Sequence, residues 1–227
     1  MVIFMNINEM RPWKVGDGPI SIYINRKISW RITQAIVKHK LPLTPNRMSI
    51  ISFLVGILAA PFYVLQMPVI GGILAQLSSI LDGVDGELAR ALNMRTKSGA
   101  FLDTVLDRFV DFLIIIGLTY FTAQRYPNPS LVYLIGFLAL TGTYLCSYVH
   151  IAFRAYCNEM ILRFTKIPHI ASRDIRLFVI FVGSVLGFYL ETLIVLTIIT
   201  YLHTLLRFVD LFFRFKKKEL EGKLMSS

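Results

Sequence analysis

Four aspartates, Asp82, Asp85, Asp103 and Asp107, fall within stretches of chain apolar enough to cross a membrane. A carboxylate at the centre of a bilayer-spanning helix costs about 2.5–3.5 kcal/mol, so four cost on the order of 10 kcal/mol, comparable to the stability of a whole domain. Such residues persist where a cation, water or a functional cavity offsets that cost, and their oxygens are the hard ligands that Mg2+ prefers. At 3.6 residues per turn, Asp82 and Asp85 share one helix face as an i,i+3 pair. Asp103 and Asp107 share another as an i,i+4 pair. Two such faces can enclose one metal site. Gly86 admits close approach of a ligand to the backbone, Ala89 keeps the same face low, and Arg90 adds a planar fork of donors suited to phosphate. Gly99 opens the following helix without a side chain in the way.

The run from Asp82 to Asp107 matches, at every fixed position, the pattern D-x2-D-G-x2-A-R-x8-G-x3-D-x3-D. On those residues the chain resembles the CDP-alcohol phosphotransferase (CDP-alcohol phosphatidyltransferase) family. The resemblance implies a reaction in which the hydroxyl of an acceptor alcohol attacks the β-phosphorus of a CDP-linked alcohol, releasing CMP and forming a phosphodiester. It further implies Asp82, Asp85 and Asp103 as the principal ligands of Mg2+ or Mn2+, two ions in all. Asp107 would be the catalytic base and also touch the second metal. Asp85, Gly86, Ala89 and Arg90 would cradle CDP, and Asn46, in a Pro-Asn pair at the edge of the nucleotide pocket, would contact cytidine. A free aspartate beside a divalent ion is too acidic to hold a proton well, so Asp107 is expected to orient the hydroxyl more than to accept its proton.

Six apolar segments surround this motif, at about 48–66, 69–84, 99–123, 129–153, 176–190 and 192–213, in a chain that is 55% hydrophobic. The expected fold class is an all-α integral membrane protein with six transmembrane helices. Between the fifth and sixth segments only Gly187, Tyr189 and Glu191 mark a turn. Residues 1–47 read as a cytoplasmic segment, 48–213 as the catalytic domain and 214–227 as a basic tail. From Ile20 to Lys40, Ile20, Tyr23, Ile24, Ile28, Ile32 and Ile36 line one face with basic residues elsewhere, predicting an amphipathic helix on the membrane surface. Thr44 before Pro45 reads as the cap of the first span. Met1 to Met10 lacks the basic start of a cleaved leader, so the first span is expected to act as the insertion signal.

Of 24 basic residues, eight precede the first span, three follow the second, five follow the fourth and six lie at the C-terminal end; Arg125 alone falls on the opposite side, with Arg108 inside the third. The positive-inside rule then places both termini and the aspartates in the cytoplasm. Scattered through membrane loops, the +10 net charge serves orientation and contact with anionic lipid headgroups and excludes nucleic acid as a partner. An ion-coupled transporter is the alternative from another class, since intramembrane acids also mark ion pathways. A cation path has no use for Gly86 and Arg90 at set offsets from the acids.

The substrates are read from two further features. Asp17-Gly18-Pro19-Ile20-Ser21 and Asn25-Arg26-Lys27-Ile28-Ser29 are similar to the membrane domain of di-myo-inositol-phosphate-phosphate synthases. Several of those fuse that domain to a cytidylyltransferase, so a separate protein is expected to supply the activated donor here. Arg154, Arg163, Lys166, Arg173 and Arg176, with Arg108 beside Asp107, exceed what orientation requires. Arg108, Arg154, Arg173 and Arg176 are the expected acceptor-phosphate contacts, with Asp174 steadying one guanidinium. CDP-inositol and inositol 1-phosphate are the favoured pair; a CDP-linked diradyl lipid with inositol phosphate or glycerol phosphate is the alternative. Relatives carry Ser-Tyr-x-(basic)-Ala-Arg in the fourth span, where this chain reads Ser147-Tyr148-Val149-His150-Ile151-Ala152-Phe153-Arg154. Family resemblance implies a homodimer, with the third and fourth spans as candidate interface.

Among the remaining polar residues, Asp111 is expected to be a structural partner of Arg108, and Glu87 a solvated residue at headgroup level. His150 reads as a hydrogen-bonded bundle residue, and His39, His169 and His203 show no metal-type spacing. Cys146 and Cys157 read as small core residues.

Overall fold

Each of the six apolar segments is largely helical, and Thr44, Thr96 and Gly187 mark three of the helix ends. The computed structural model describes residues 18–157 and 167–220, the side chains at 154, 157 and 218–220 apart. The readings made above for Met1 to Met10, Asp17, Arg163 and Lys166, and for the side chains of Arg154 and Cys157, lie outside the described residues. A π-helical turn, Ser21–Asn25, runs directly into α1, Arg26–Lys38. Then come α2, Pro45–Val64; α3, Pro68–Ala91; α4, Lys97–Ala123; α5, Pro129–Cys157; α6, Arg173–Leu186; and α7, Tyr189–Leu220. No strand occurs among the described residues.

Thr44 caps α2 as its sequence predicts, with Pro45 in the first turn. Thr96 caps α4, its hydroxyl accepting the Gly99 N–H at 3.0 Å. Between α6 and α7, Gly187 adopts φ +81° and the Phe188 N–H reaches back to the Gly183 carbonyl at 2.9 Å. That left-handed cap ends one helix and reverses the chain within two residues.

By length and composition α2, Pro129–Phe153 of α5 and Tyr189–Lys217 of α7 can cross a membrane. Helix α3 carries the acidic motif, α4 carries Asp103, Asp107, Arg108 and Asp111, and α6 has only 14 residues. Helix α2 packs on both α3 and α4, α3 packs on α6, α4 on α5, and α5 on α7. Tyr63, Ala75, Ile114, Leu118, Phe121, Leu177, Leu193 and Leu196 form the shared core, while Leu54, Phe137, Phe188 and Leu205 stay exposed on the rim.

Where lipid is the solvent, close packing and interhelical hydrogen bonds replace the hydrophobic drive. Ser52 and Ser78 exchange hydroxyl-to-carbonyl bonds between α2 and α3, both 3.1 Å. Tyr63 and Ser184 join α2 to α6 at 2.6 Å. Beside them, a Cβ on Gly56 would stand 2.6 Å from Val110 Cγ1 and 2.7 Å from Ser78 Oγ, so three helices meet at that glycine.

Helix α1 packs on α3, and its inward face is polar in its first half and apolar at Ile36, which packs with Met48, Val84 and Leu88. Ser21, Asn25, Arg26, Ser29 and Thr33 are buried, whereas Tyr23 and Ile28 of the apolar stripe point outward and only Ile36 is buried from it. The polar seam, which the alternation of isoleucines obscured, joins α1 to the bundle together with the Ile36 cluster.

Replacing Gly56 by Leu is expected to overpack this junction at a cost of about 1–3 kcal/mol. Thermal unfolding in detergent would register the loss, while Leu58→Ala on the exposed rim changes the midpoint little.

Candidate active site

Helices α3 and α4 point their acids at one another. Oxygens of Asp82, Asp85 and Asp103 lie within 4.8 Å of each other. Three hard donors this close, on two separately anchored helices, fit a divalent cation of the Mg2+ or Mn2+ type. Ser49 of α2 donates its hydroxyl to Asp85, which orients that carboxylate from behind. At the rim, Asn46 of α2 stands over the start of α4. A Cβ at Gly99 would lie 2.9 Å from its Oδ1, so the motif glycine makes room for Asn46. Gly86, Ala89 and Arg90 continue along α3 as partly covered residues.

Asp107 falls outside the three-carboxylate group. It pairs with Arg173 of α6, whose Nη1 lies 3.0 Å from its Oδ1 and 3.2 Å from Oδ1 of Asp82. One guanidinium thus bridges both acidic helices from a third. Asp111, a turn deeper and 2% exposed, accepts from Arg173 Nε at 3.3 Å, Arg176 Nη2 at 2.8 Å and Arg108 Nη1 at 3.2 Å. The expected partner Arg108 is there, joined by two that local spacing does not disclose. Arg173 and Arg176 share a face as their i,i+3 spacing predicts, but Asp174 does not hold either. Its carboxylate accepts the backbone N–H of Ser21 at 2.8 Å, tying the start of the described chain to α6.

Glu87 also departs from expectation. It is fully buried, and accepts from Arg26 Nη1 at 3.1 Å, Ser29 Oγ at 2.7 Å and Thr33 Oγ1 at 2.6 Å. A fully buried carboxylate needs such a set of donors, and they come from α1, more than fifty residues earlier.

The histidines converge as well, although nothing in their spacing foretells it. Ring nitrogens of His150 of α5, His169 of the following loop and His203 of α7 lie within 4.8 Å of one another. His150 donates Nδ1–H to the Cys146 carbonyl at 2.9 Å, and its Nε2 accepts from Arg207. Arg207, 1% exposed, also donates to the Ile167 carbonyl at 3.1 Å. Among the described residues, neither ring nitrogen of the buried His203 has a hydrogen-bond partner. Burial, then Arg207 and His150, pushes His169 down to about 4, so it is neutral at pH 7. A guanidinium on one of the three rings repels a metal cation but suits an anion. This pocket connects back to the acids. Arg176 donates to the Ala171 carbonyl at 2.7 Å, which also accepts from the Cys146 thiol at 3.6 Å.

A paired acidic motif on adjoining helices of an all-helical membrane bundle defines a metal-dependent transferase class. The chain belongs to the CDP-alcohol phosphatidyltransferase family, whose sequence profile matches residues 42–209. Among characterised relatives it is 38% identical over 194 residues to the bifunctional IPC transferase and DIPP synthase of Aquifex aeolicus, covering 85% of this chain and 44% of that protein. The protein of the same name from Archaeoglobus fulgidus is 42% identical over 174 residues, 76% of this chain and 33% of its own length. The chain therefore spans less than half of these bifunctional relatives. The archaetidylinositol phosphate synthase of Pyrococcus horikoshii is 34% identical over 145 residues, 63% of this chain and 70% of that one. The fold is similar to Mycobacterium tuberculosis phosphatidylinositol phosphate synthase with CDP-DAG bound, with TM-score 0.68 and 18% identity over 82% of this chain and 94% of the other. The same enzyme in complex with manganese and citrate gives TM-score 0.67 at 19% identity, over 81% of this chain and 88% of the other.

Asp111→Ala strands Arg108, Arg173 and Arg176 without their common partner. A destabilisation of about 3–5 kcal/mol is expected, as for a buried ion pair losing one member, measured as a fall in thermal midpoint of the detergent-solubilised protein.

Proposed function

We propose that this protein is a metal-dependent CDP-alcohol phosphotransferase that joins CDP-inositol to inositol 1-phosphate with release of CMP. The observation that carries the reaction class is the Asp82, Asp85 and Asp103 cluster, backed by the family match over residues 42–209. The choice of substrates is supported by identity to the DIPP synthases and by the density of buried arginine and histidine beside the acids. Two Mg2+ or Mn2+ ions are the proposed complement, held by Asp82, Asp85, Asp103 and Asp107. When bound, they neutralise charge on the pyrophosphate as CMP departs.

The remaining work falls to side chains. Arg90 is placed to fork onto the CDP phosphates above the low surface of Gly86 and Ala89, with Asn46 at the cytidine edge. Asp107 orients the acceptor hydroxyl towards the β-phosphorus more than it holds its proton. Arg173 lies within 3.0 Å of Asp107, so an acceptor phosphate gripped by Arg173 brings its sugar hydroxyls beside that base. Arg108, Arg154 and Arg176 are proposed to complete the phosphate contacts, and Arg207, which donates to His150, extends the cationic wall.

In the membrane, α2 to α7 are proposed to make six spans, with α3, α4 and α6 admitted because their charged positions face the site. Residues 48–213 form the catalytic unit. Tyr23 and Ile28 direct α1 onto the cytoplasmic membrane surface. Both termini and the site face the cytoplasm by the distribution of basic residues, and two copies associate through α4 and α5. A second reading replaces the soluble donor with a CDP-linked diradyl lipid. It is favoured by the match to the Pyrococcus horikoshii synthase over 70% of its length.

Purified protein is expected to release CMP only with Mg2+ or Mn2+ present. Asp82→Asn and Asp85→Asn should each abolish that release and metal-dependent nucleotide binding. Asp107→Asn should lower kcat on the order of 10²-fold, with donor affinity kept within a few fold. Arg173→Ala should raise the KM for inositol 1-phosphate. Assays pairing inositol 1-phosphate, free inositol and glycerol 3-phosphate with each donor decide the substrates; equal use of free inositol would reject a phosphate pocket.

A further inference from the structure

We infer that Glu87 is a positioning residue for the metal motif: by gripping α1 it sets the rotation of α3, and with it the placement of Asp82 and Asp85. The proposal leans on the catalytic reading for its activity readout alone. Glu87 sits inside the motif, yet two residues on a helix turn it about 200° away from Asp85. It cannot face the same ligand. Its buried carboxylate instead collects three donors from α1, one of them the Arg26 guanidinium, and the same Arg26 nitrogen donates to the Gly83 carbonyl at 3.0 Å.

Gly83 lies between the two metal-facing aspartates, and a Cβ there would stand 2.9 Å from Arg26 Nη1 and 3.0 Å from Ser29 Oγ. Helix α1 therefore rests directly on the backbone of the motif. Below Glu87 the seam continues, with Asn25 Nδ2 donating to Ser79 Oγ at 3.0 Å and Gln76 Nε2 donating to Asn25 Oδ1 at 2.7 Å. On the opposite flank Ser49 of α2 holds Asp85. The motif is thus gripped from both sides, and Ser21 ties the same α1 segment to Asp174, the neighbour of Arg173. Charge-assisted bonds of this kind are about twice as strong as neutral ones. Residues that orient ligands from outside typically account for 10–100-fold in metal affinity.

The test compares full-length wild type with Glu87→Ala, Glu87→Gln and the pair Ser29→Ala/Thr33→Val in nanodiscs. Mn2+ binding is titrated by electron paramagnetic resonance without substrate, and the Mn2+ activation constant is measured for CMP release. Glu87→Ala is expected to weaken both by about tenfold or more. The Ser29→Ala/Thr33→Val pair, remote from the metal face, is expected to weaken both several-fold, and Glu87→Gln to fall between because its carbonyl still accepts from the two hydroxyls. A purely structural role would lower the amount of folded protein and leave both constants at the wild-type value in what remains. That result in the Ser29/Thr33 pair, which keeps the test usable if Glu87→Ala does not fold, overturns the proposal. Should wild type bind Mn2+ but release no CMP from CDP-alcohols, the catalytic reading fails and the Mn2+ titration still decides the role of Glu87.

Discussion

Mutual repulsion among five aspartates gathered at one end of a helical bundle is the constraint from which the rest of this protein follows. Asp82, Asp85, Asp103, Asp107 and Asp111 approach one another because α3 and α4 both pack on α2. Unrelieved, that charge would push the helices apart. Relief comes from α6, whose Arg173 spans Asp82, Asp107 and Asp111 while Arg176 caps Asp111 from below. The arrangement leaves three carboxylates within 4.8 Å of each other and a separate, fully paired one underneath. Asp107 and Asp111 thus occupy successive turns of one helix and differ in how completely they are neutralised.

The same economy governs the outer helices. A membrane bundle cannot rely on expulsion of apolar surface from water, so its contacts are small residues and hydrogen bonds. Gly56, Ser52, Ser78 and Ser184 play that part in the interior. Helix α1 extends the logic to the surface. Ser21 and Asn25 of the π-helical turn and Ser29 and Thr33 of α1 turn inward, while Tyr23 and Ile28 are left outside. Polar burial on this side and arginine burial on the other hold α3 between them, and α3 carries the motif.

Much was legible in the chain itself. The x2, x3 and x8 offsets from Asp82 to Asp107 place the acids on two faces by helix geometry alone, and hydropathy marks where those helices run. Thr44 and Gly187 set helix ends through interactions a few residues long. Asp111 could be assigned a structural role because its nearest helical neighbour of opposite charge, Arg108, is only three positions away.

Other features were decided by the packing of distant segments. Glu87 reads as exposed because its three partners lie 54 to 61 positions earlier. His150, His169 and His203 share no spacing, yet helix α5, its following loop and α7 bring them into one pocket with Arg207. Asp174 looks like a partner for adjacent arginines until α6 meets the Ser21 backbone, 153 positions away. Local sequence determines what a helix can present, since side-chain direction repeats with the helical turn. Which charges face each other across helices depends on their relative rotation and depth, and those are settled only when the whole bundle packs.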